Sequence, residues 1–239
     1  VIAQDTTKYG IDIYGESKLP ELLTKLCEID GIRWVRFLYA YPESITDELI
    51  DVVAREKKIC KYFDIPIQHF SDGILKRMNR KTTGENISKV VSKIRREIPN
   101  AILRTSLIVG FPGETEEDFE ILKNCVSDLK FDRLGCFMYS KEDGTPAAKF
   151  EGQIHSATKK KRHSIVMELQ KDISDEFLTS KVGNDYDVLI EDITPNGDFY
   201  VGRSYMDSPD TDGVIFVANN GEDLMDKFVR CKIVAVDGY

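Results

Sequence analysis

Apolar positions along the first 140 residues alternate between two periods. Residues 32–39, 63–68, 101–109 and 132–139 are short runs rich in aromatic and β-branched side chains, as buried strands are. Between them apolar residues recur three and four positions apart. One stripe is Leu22, Leu23, Leu26 and Ile29, and a second is Leu49, Ile50 and Val53 behind the capping residue Thr46. Ile87, Val90, Val91 and Ile94 precede Pro99, while Phe119, Leu122, Val126 and Leu129 follow the acidic stretch 114–117. Strand followed by helix at intervals of roughly 30 residues predicts βα units around a parallel sheet, and a β-type run at Val1 brings the units to five. In such a sheet, closed or partly closed into a barrel, the loops after the strands build the site. Those loops read 4–7, 39–43, 68–72, 110–114 and 139–145, all polar or rich in glycine and proline.

From Gln153 to Lys181 the pattern predicts one long charged helix. Its run Lys159, Lys160, Lys161, Arg162 reads as the solvated face of a connecting helix rather than an anion site. Beyond it the period falls to two. Residues 186–190, 199–203, 213–217 and 229–236 predict short strands, with Asn196-Gly197-Asp198 turning the first hairpin. Such strands in the last stretch predict a small antiparallel barrel of the oligonucleotide-binding type. The change of period predicts two domains, 1–173 and 174–239.

Composition narrows the function classes. Hydrophobic residues at 41% and charged residues at 31% are globular values, which excludes disordered and fibrous chains. No apolar run approaches the roughly 18 residues of a membrane span. The run at Val1 reads as the continuation of an element that begins upstream. Cys27, Cys60, Cys125, Cys136 and Cys231 are scattered, form no CxxC pattern and read as free thiols of a reducing, cytoplasmic setting. The three histidines, His69, His155 and His163, have no partners at metal spacing, so no metal ligand is assigned. The net charge of −8 is uneven: residues 1–173 hold 28 Lys+Arg against 27 Asp+Glu, whereas residues 174–239 hold 5 against 14, a net −9.

Three segments carry candidate chemistry. In 107–119 a strand ends in Gly110-Phe111-Pro112-Gly113 before a Glu-rich helix start. That pattern suits either close backbone approach to a flat ligand or a tight turn. In 65–73, Gln68 and His69 stand at a strand end where they can meet a polar ligand, with a structural role for the histidine as the other reading, and Ser71 or Asp72 can cap the next helix. In 137–148 the last strand runs into Asp143-Gly144, a turn signal.

Taken in order, Gln68-His69-Phe70-Ser71-Asp72, Gly110-Phe111-Pro112-Gly113-Glu114-Thr115 and Tyr139-Ser140 with Gly144-Thr145-Pro146-Ala147 resemble the methylthiotransferase family of radical S-adenosylmethionine enzymes. The opening Ala3-Gln4-Asp5-Thr6-Thr7 with Tyr9-Gly10 resembles its ribosomal-protein (RimO-type) branch. The resemblance implies an α/β fold: a partial parallel (βα) barrel of radical-SAM type with a C-terminal TRAM, OB-like β-barrel. It implies S-adenosylmethionine and two 4Fe-4S clusters as cofactors, a CxxxCxxC loop and a further domain upstream of Val1, and an electron-donor protein. Without that loop the fragment is expected to be inactive alone. By position, the resemblance puts Gln4 on the strand that holds the methionyl amino group, although the usual Gly-Gly-Glu is absent. It puts Gln68 on the strand that meets ribose or carboxylate, and Arg104 opposite the carboxylate if its side chain points into the barrel. Ser106, Ile108 and Gly110 then share a face and resemble the adenine-contacting strand, with Phe111 beside them. Glu114 stands four residues after that glycine where the family pattern expects three, so helix capping is its other reading.

The family divides between tRNA adenosine and an aspartate of a small-subunit ribosomal protein. A tail that holds RNA should be basic, so a net −9 favours a lysine- and arginine-rich protein partner over nucleic acid. The expected molecule is a monomer that methylthiolates the aspartate β-carbon. The alternatives are a tRNA methylthiotransferase and a non-catalytic ribosome-associated binding module.

Overall fold

The computed structural model describes residues 1–237 and divides into two compact units, Val1–Ile173 and Ser174–Tyr239. In the first, β1 (Tyr62–Asp64), β2 (Ile102–Val109) and β3 (Arg133–Met138) form a parallel sheet in that order. Two extended segments continue the layer beyond β1. Residues 35–40 attach through the bridge of Val35 with Ile59 and the bond from the Ala40 amide to the Asp64 carbonyl. Residues 1–6 lie against them, the Leu38 amide donating to Val1 and the Thr6 amide to Tyr39.

Two expected strands are therefore shorter than their hydrophobicity suggests. The run 32–39 is a single bridge ending at Tyr39, whose φ of 59° lies in the left-handed region and whose amide donates to the Asp64 carboxylate instead of a neighbouring strand. The run 63–68 stops being a regular strand after Asp64, because Pro66 has no amide to give the ladder and Gln68 (φ 68°) is also left-handed. Pairing resumes for one residue, with Gln68 opposite Leu107.

Helices α1 (Ile11–Tyr14), α2 (Leu19–Glu28), α3 (Asp47–Arg55), α4 (Asp72–Arg77), α5 (Gly84–Glu97), α6 (Glu116–Leu129) and α7 (Ser156–Thr179) complete the series. Their starts follow local chemistry. The Thr46 hydroxyl accepts from the Leu49 amide, Thr83 accepts from Asn86, and Thr115 with Asp118 forms a reciprocal capping box. Neither candidate cap of α4 acts as one: the Ser71 hydroxyl donates to Asp118, and Asp72 accepts from the Gly84 amide.

The core lies on one side of the sheet. Leu103, Leu107 and Val109 of β2 are fully buried with Leu49, Val53, Ile87, Val91, Phe119 and Leu122 of the helices. Arg104, Ser106 and Ile108 point the other way and are only half-buried, as strand alternation requires. α7 corrects the reading of the basic run. Lys160 and Lys161 are exposed, but Arg162 is 5% exposed and shares a buried face with Val166 and Gln170, the last donating to the Phe131 carbonyl.

In the second unit β4 (Asp185–Ile193), β5 (Phe199–Arg203), β6 (Ile215–Ala218) and β7 (Phe228–Lys232) form an antiparallel sheet in the order β6-β5-β4-β7. A bulge between Ile190 and Asp192 bends β4, and Val188, Ile190 and Tyr200 form a small core. The four strands curl into an antiparallel half-barrel, as expected for a small OB-like domain, with no ladder joining β6 to β7 among the described residues.

The two faces of β2 should respond differently to truncation. Leu107→Ala, which empties a fully enclosed position, should cost about 2–5 kcal/mol, and Ile108→Ala on the half-open face clearly less, as measured by urea unfolding.

Candidate functional site

The half-open face of β2 leads into the loops after the strands. Asp64, 1% exposed at the end of β1, organises the near side. One of its carboxylate oxygens accepts from the Tyr39 amide at 3.1 Å and the other from Arg104 Nη1 at 2.8 Å. Such a buried pair is favourable only with its hydrogen bonds complete, and here they hold Tyr39 in its left-handed conformation. Arg104 is thus on the predicted face, but its guanidinium is engaged with Asp64 across the β1–β2 register. Gln68 meets the same strand through its backbone: its amide donates to Ser106 and its carbonyl accepts from Ile108. Phe137, opposite Ile108 on β3, is 58% exposed, and Met138 is 43% exposed. Ser106, Ile108 and the exposed Phe137 thus lie along one partly open face, with Gln68 joined to it through its backbone.

On the far side the loop 110–114 folds over a buried carboxylate. Glu114 Oε2 accepts from the Gly110 amide at 2.6 Å and the Phe111 amide at 3.2 Å, while Oε1 accepts from Arg162 Nη1 at 2.7 Å. Glu114 therefore does not cap α6, which Thr115 does; it closes its own loop. Burial pushes the Glu114 carboxyl above the usual range, opposed by the Arg162 charge and the two amides. Gly110 has a φ of 73° and lies so close to the Lys159 side chain that a Cβ would collide with it. Lys159 Nζ donates to the Tyr139 carbonyl at 2.8 Å, and Arg77 Nε donates to that of Pro112 at 3.0 Å. The Phe111 ring is 6% exposed and packs edge-on against Tyr139 and Phe150.

His69 is structural. It is fully buried, its Nδ1 accepts from the Ser71 amide at 3.0 Å, and its proton-bearing Nε2 lies 3.8 Å from Glu114 Oε2. Burial lowers its pKa to about 4, so the ring is neutral near pH 7.

Of the sequence candidates, Gln68, Ser106 and Ile108 come together through the backbone, and Gly110 and Phe111 follow in the loop after β2, with both amides committed to Glu114. Gln4 stands apart. It is exposed on the segment beyond 36–39, two neighbours away from β2. From residue order alone Asp64 carries no role, Tyr39 falls only within the loop 39–43, and Lys159 and Arg162 read as part of a solvated basic face. An aspartate inside an apolar run is the signal that identifies Asp64. For Arg162 it is the spacing with Val166 and Gln170. Cys125 on α6 and Cys136 on β3 are buried, with thiols raised by that burial, Cys136 to about 12. All five cysteines are free, and no group of three His, Cys, Asp or Glu side chains among the described residues can hold a metal ion.

The family model for the radical SAM superfamily matches residues 9–125, and that for the TRAM domain matches residues 182–239. A protein from Alkaliphilus oremlandii named ribosomal protein uS12 methylthiotransferase RimO is 62% identical over all of this chain and 55% of its own length. Proteins of the same name from Clostridium perfringens and Caldanaerobacter subterraneus are 53% and 49% identical over 98% and 100% of the chain, or 52% and 54% of their own lengths. The chain belongs to the RimO-type methylthiotransferase family. It spans about half the length of the curated relatives it matches. Within this family member, the Gly-Phe-Pro-Gly-Glu segment is a loop tied by its own glutamate, and the opening at Ser106 and Ile108 lies beside it.

The neutral, buried His69 has a consequence for stability. An unfolded histidine takes up its proton near pH 6.5 and the folded one only near 4, so the native state binds fewer protons between these values. Stability should be intact above pH 6.5 and fall by up to about 3 kcal/mol as the pH drops to 4. Denaturation midpoints across that range check this, with a shallower fall expected for His69→Gln.

Proposed function

We propose that this chain is the adenosylmethionine-binding barrel and C-terminal domain of an enzyme that methylthiolates an aspartate of ribosomal protein uS12. The observation that carries this reading is the half-open face of β2, where Ser106 and Ile108 meet Gln68 and the exposed Phe137 beside a loop whose glycine amides are fixed. The name borne by relatives up to 62% identical supports the substrate.

The residues present fit adenosylmethionine. Ile108 and Phe137 offer apolar surface for a base, and Ser106 and Gln68 offer hydrogen-bonding side chains. When bound, adenosylmethionine supplies radical and methyl-transfer chemistry; the protein's part is to orient it and exclude water. Gln68 and Ser106 would hold its polar edge and Ile108 would cover the base, while Gly110, packed under the Lys159 side chain, would shape the border of the site. Arg104, already paired with Asp64, shapes the floor and keeps Tyr39 in place. Gln4, on the outer segment away from β2, has no part in this face, and Phe111 steadies the loop through its ring contacts with Tyr139 and Phe150. The described residues do not fit an iron–sulfur cluster, since no three ligands converge. The two clusters and the electron donor are proposed for the full-length protein.

The second unit is proposed to meet uS12 through its acidic surface. Of its 14 acidic residues, Glu191 pairs with Arg203 and Asp187 with Arg230, whereas Asp192, Asp198, Asp210, Asp223 and Asp226 are exposed. Among the described residues no helix is long and apolar enough to cross a membrane, which is consistent with work beside the ribosome in the cytoplasm.

Full-length protein, reconstituted anaerobically with iron, sulfide and adenosylmethionine, should add a methylthio mass to an aspartate of purified uS12. Modification of tRNA adenosine instead would replace this reading. Binding of this chain to uS12 should weaken steadily as salt rises; tight, salt-sensitive binding of tRNA by residues 174–239 would count against the assignment.

A further inference from the structure

Two cations one helical turn apart at the start of α7 reach the ends of two different strands. Lys159 Nζ donates to the carbonyl of Tyr139, the first residue after β3, and stands 4.8 Å from the centre of its ring. Arg162 Nη1 donates both to the Glu114 carbonyl at 3.2 Å and to Glu114 Oε1, and Nη2 donates to Glu116 at 2.9 Å. Glu114 in turn holds the Gly110 and Phe111 amides. The remaining space over Gly110 is filled by the methylenes of Lys159. Arg162 is 5% exposed and Glu114 3%, so their contact is dry, whereas Glu116 holds the guanidinium from the surface. A solvent-facing connecting helix needs none of it.

We propose that Arg162, with Lys159, is a positioning residue for the adenosylmethionine site: the first turns of α7 clasp the strand-end loops and set the conformation of the Gly110–Phe111 backbone that borders the base. The guanidinium touches no cofactor. It pairs with Glu114, and Glu114 in turn accepts from the Gly110 and Phe111 amides and so fixes that backbone. Lysine at 162 cannot reproduce this, because one ammonium group cannot span the Glu114 carbonyl, the Glu114 carboxylate and Glu116 together. Without Arg162 the Glu114 carboxylate is a buried, unpaired charge, so it takes up a proton or draws in water, and the loop loses its fixed geometry.

This inference rests on the proposed binding of adenosylmethionine at β2, and the test separates the two. In full-length, reconstituted protein, cleavage of adenosylmethionine to 5′-deoxyadenosine is measured for the unmodified enzyme and for Arg162→Gln, Arg162→Lys, Lys159→Met and Lys160→Gln, with melting midpoints for each. Arg162→Gln should raise KM for adenosylmethionine by about ten-fold or more with a much smaller change in kcat. Arg162→Lys should recover little, and Lys160→Gln should behave as the unmodified enzyme. Glu114→Gln combined with Arg162→Gln should restore part of the loss, because the unpaired charge is gone. If Arg162→Gln does not fold, Lys159→Met, which keeps its methylenes over Gly110 but loses the bond to Tyr139, should still raise KM by about three-fold. An unmodified enzyme that neither binds nor cleaves adenosylmethionine would overturn the functional reading and this inference with it. An unmodified enzyme that does so, beside folded variants of unchanged KM, would overturn this inference alone.

Discussion

The carboxylate of Glu114 is the point on which the first unit's strand-end loops converge. It is buried, and a buried carboxylate is tolerated only when its lone pairs are filled. The Gly110 and Phe111 amides and Arg162 fill them, and His69 approaches from the end of β1. Three pieces of chain far apart in sequence are thereby held to one another: the loop after β1, the loop after β2 with the start of α6 at Glu116, and α7. Gly110 can take its left-handed conformation under Lys159 only because it lacks a Cβ. A single acid thus determines both where the loop goes and which residue types it accepts.

A second buried acid does comparable work on the near side. Asp64 interrupts what hydrophobicity alone would make a longer strand, and takes an amide from Tyr39 and a guanidinium hydrogen from Arg104. Each acid holds irregular backbone of positive φ at a strand end, Asp64 at Tyr39 and Glu114 at Gly110. Irregularity of this kind needs support from the surrounding structure, and here it borders the opening that the proposed cofactor would enter. The two halves of the opening differ in character: ionic near β1, aromatic and glycine-rich near β3.

Much of this was legible in residue order. The helices follow their apolar stripes and hydroxyl caps, with Thr46 capping α3. β2 and β3 lie within a residue of their hydrophobic runs, and alternation from Arg104 correctly separated the half-open face from the core. Where the reading went too far, hydrogen-bonding groups had replaced the ladder, as at Tyr39 and after Pro66. Where it fell short, a long-range partner was responsible: Glu114 looks like a helix-start acid until Arg162, 48 residues later, is seen beside it.

Sequence by itself determined the series of strands and helices, the change of period into the second unit, and the concentration of negative charge there, because these depend on neighbours within a few positions and on simple counting. Tertiary structure alone decided which charged residues are solvated and which are structural. Lys160 and Lys161 are exposed while Lys159 and Arg162 turn inward, and Arg104 on the predicted face is already paired with Asp64. The physical reason is that the cost of burying a charge is settled by its partner, and in this fold the partners come from distant parts of the chain.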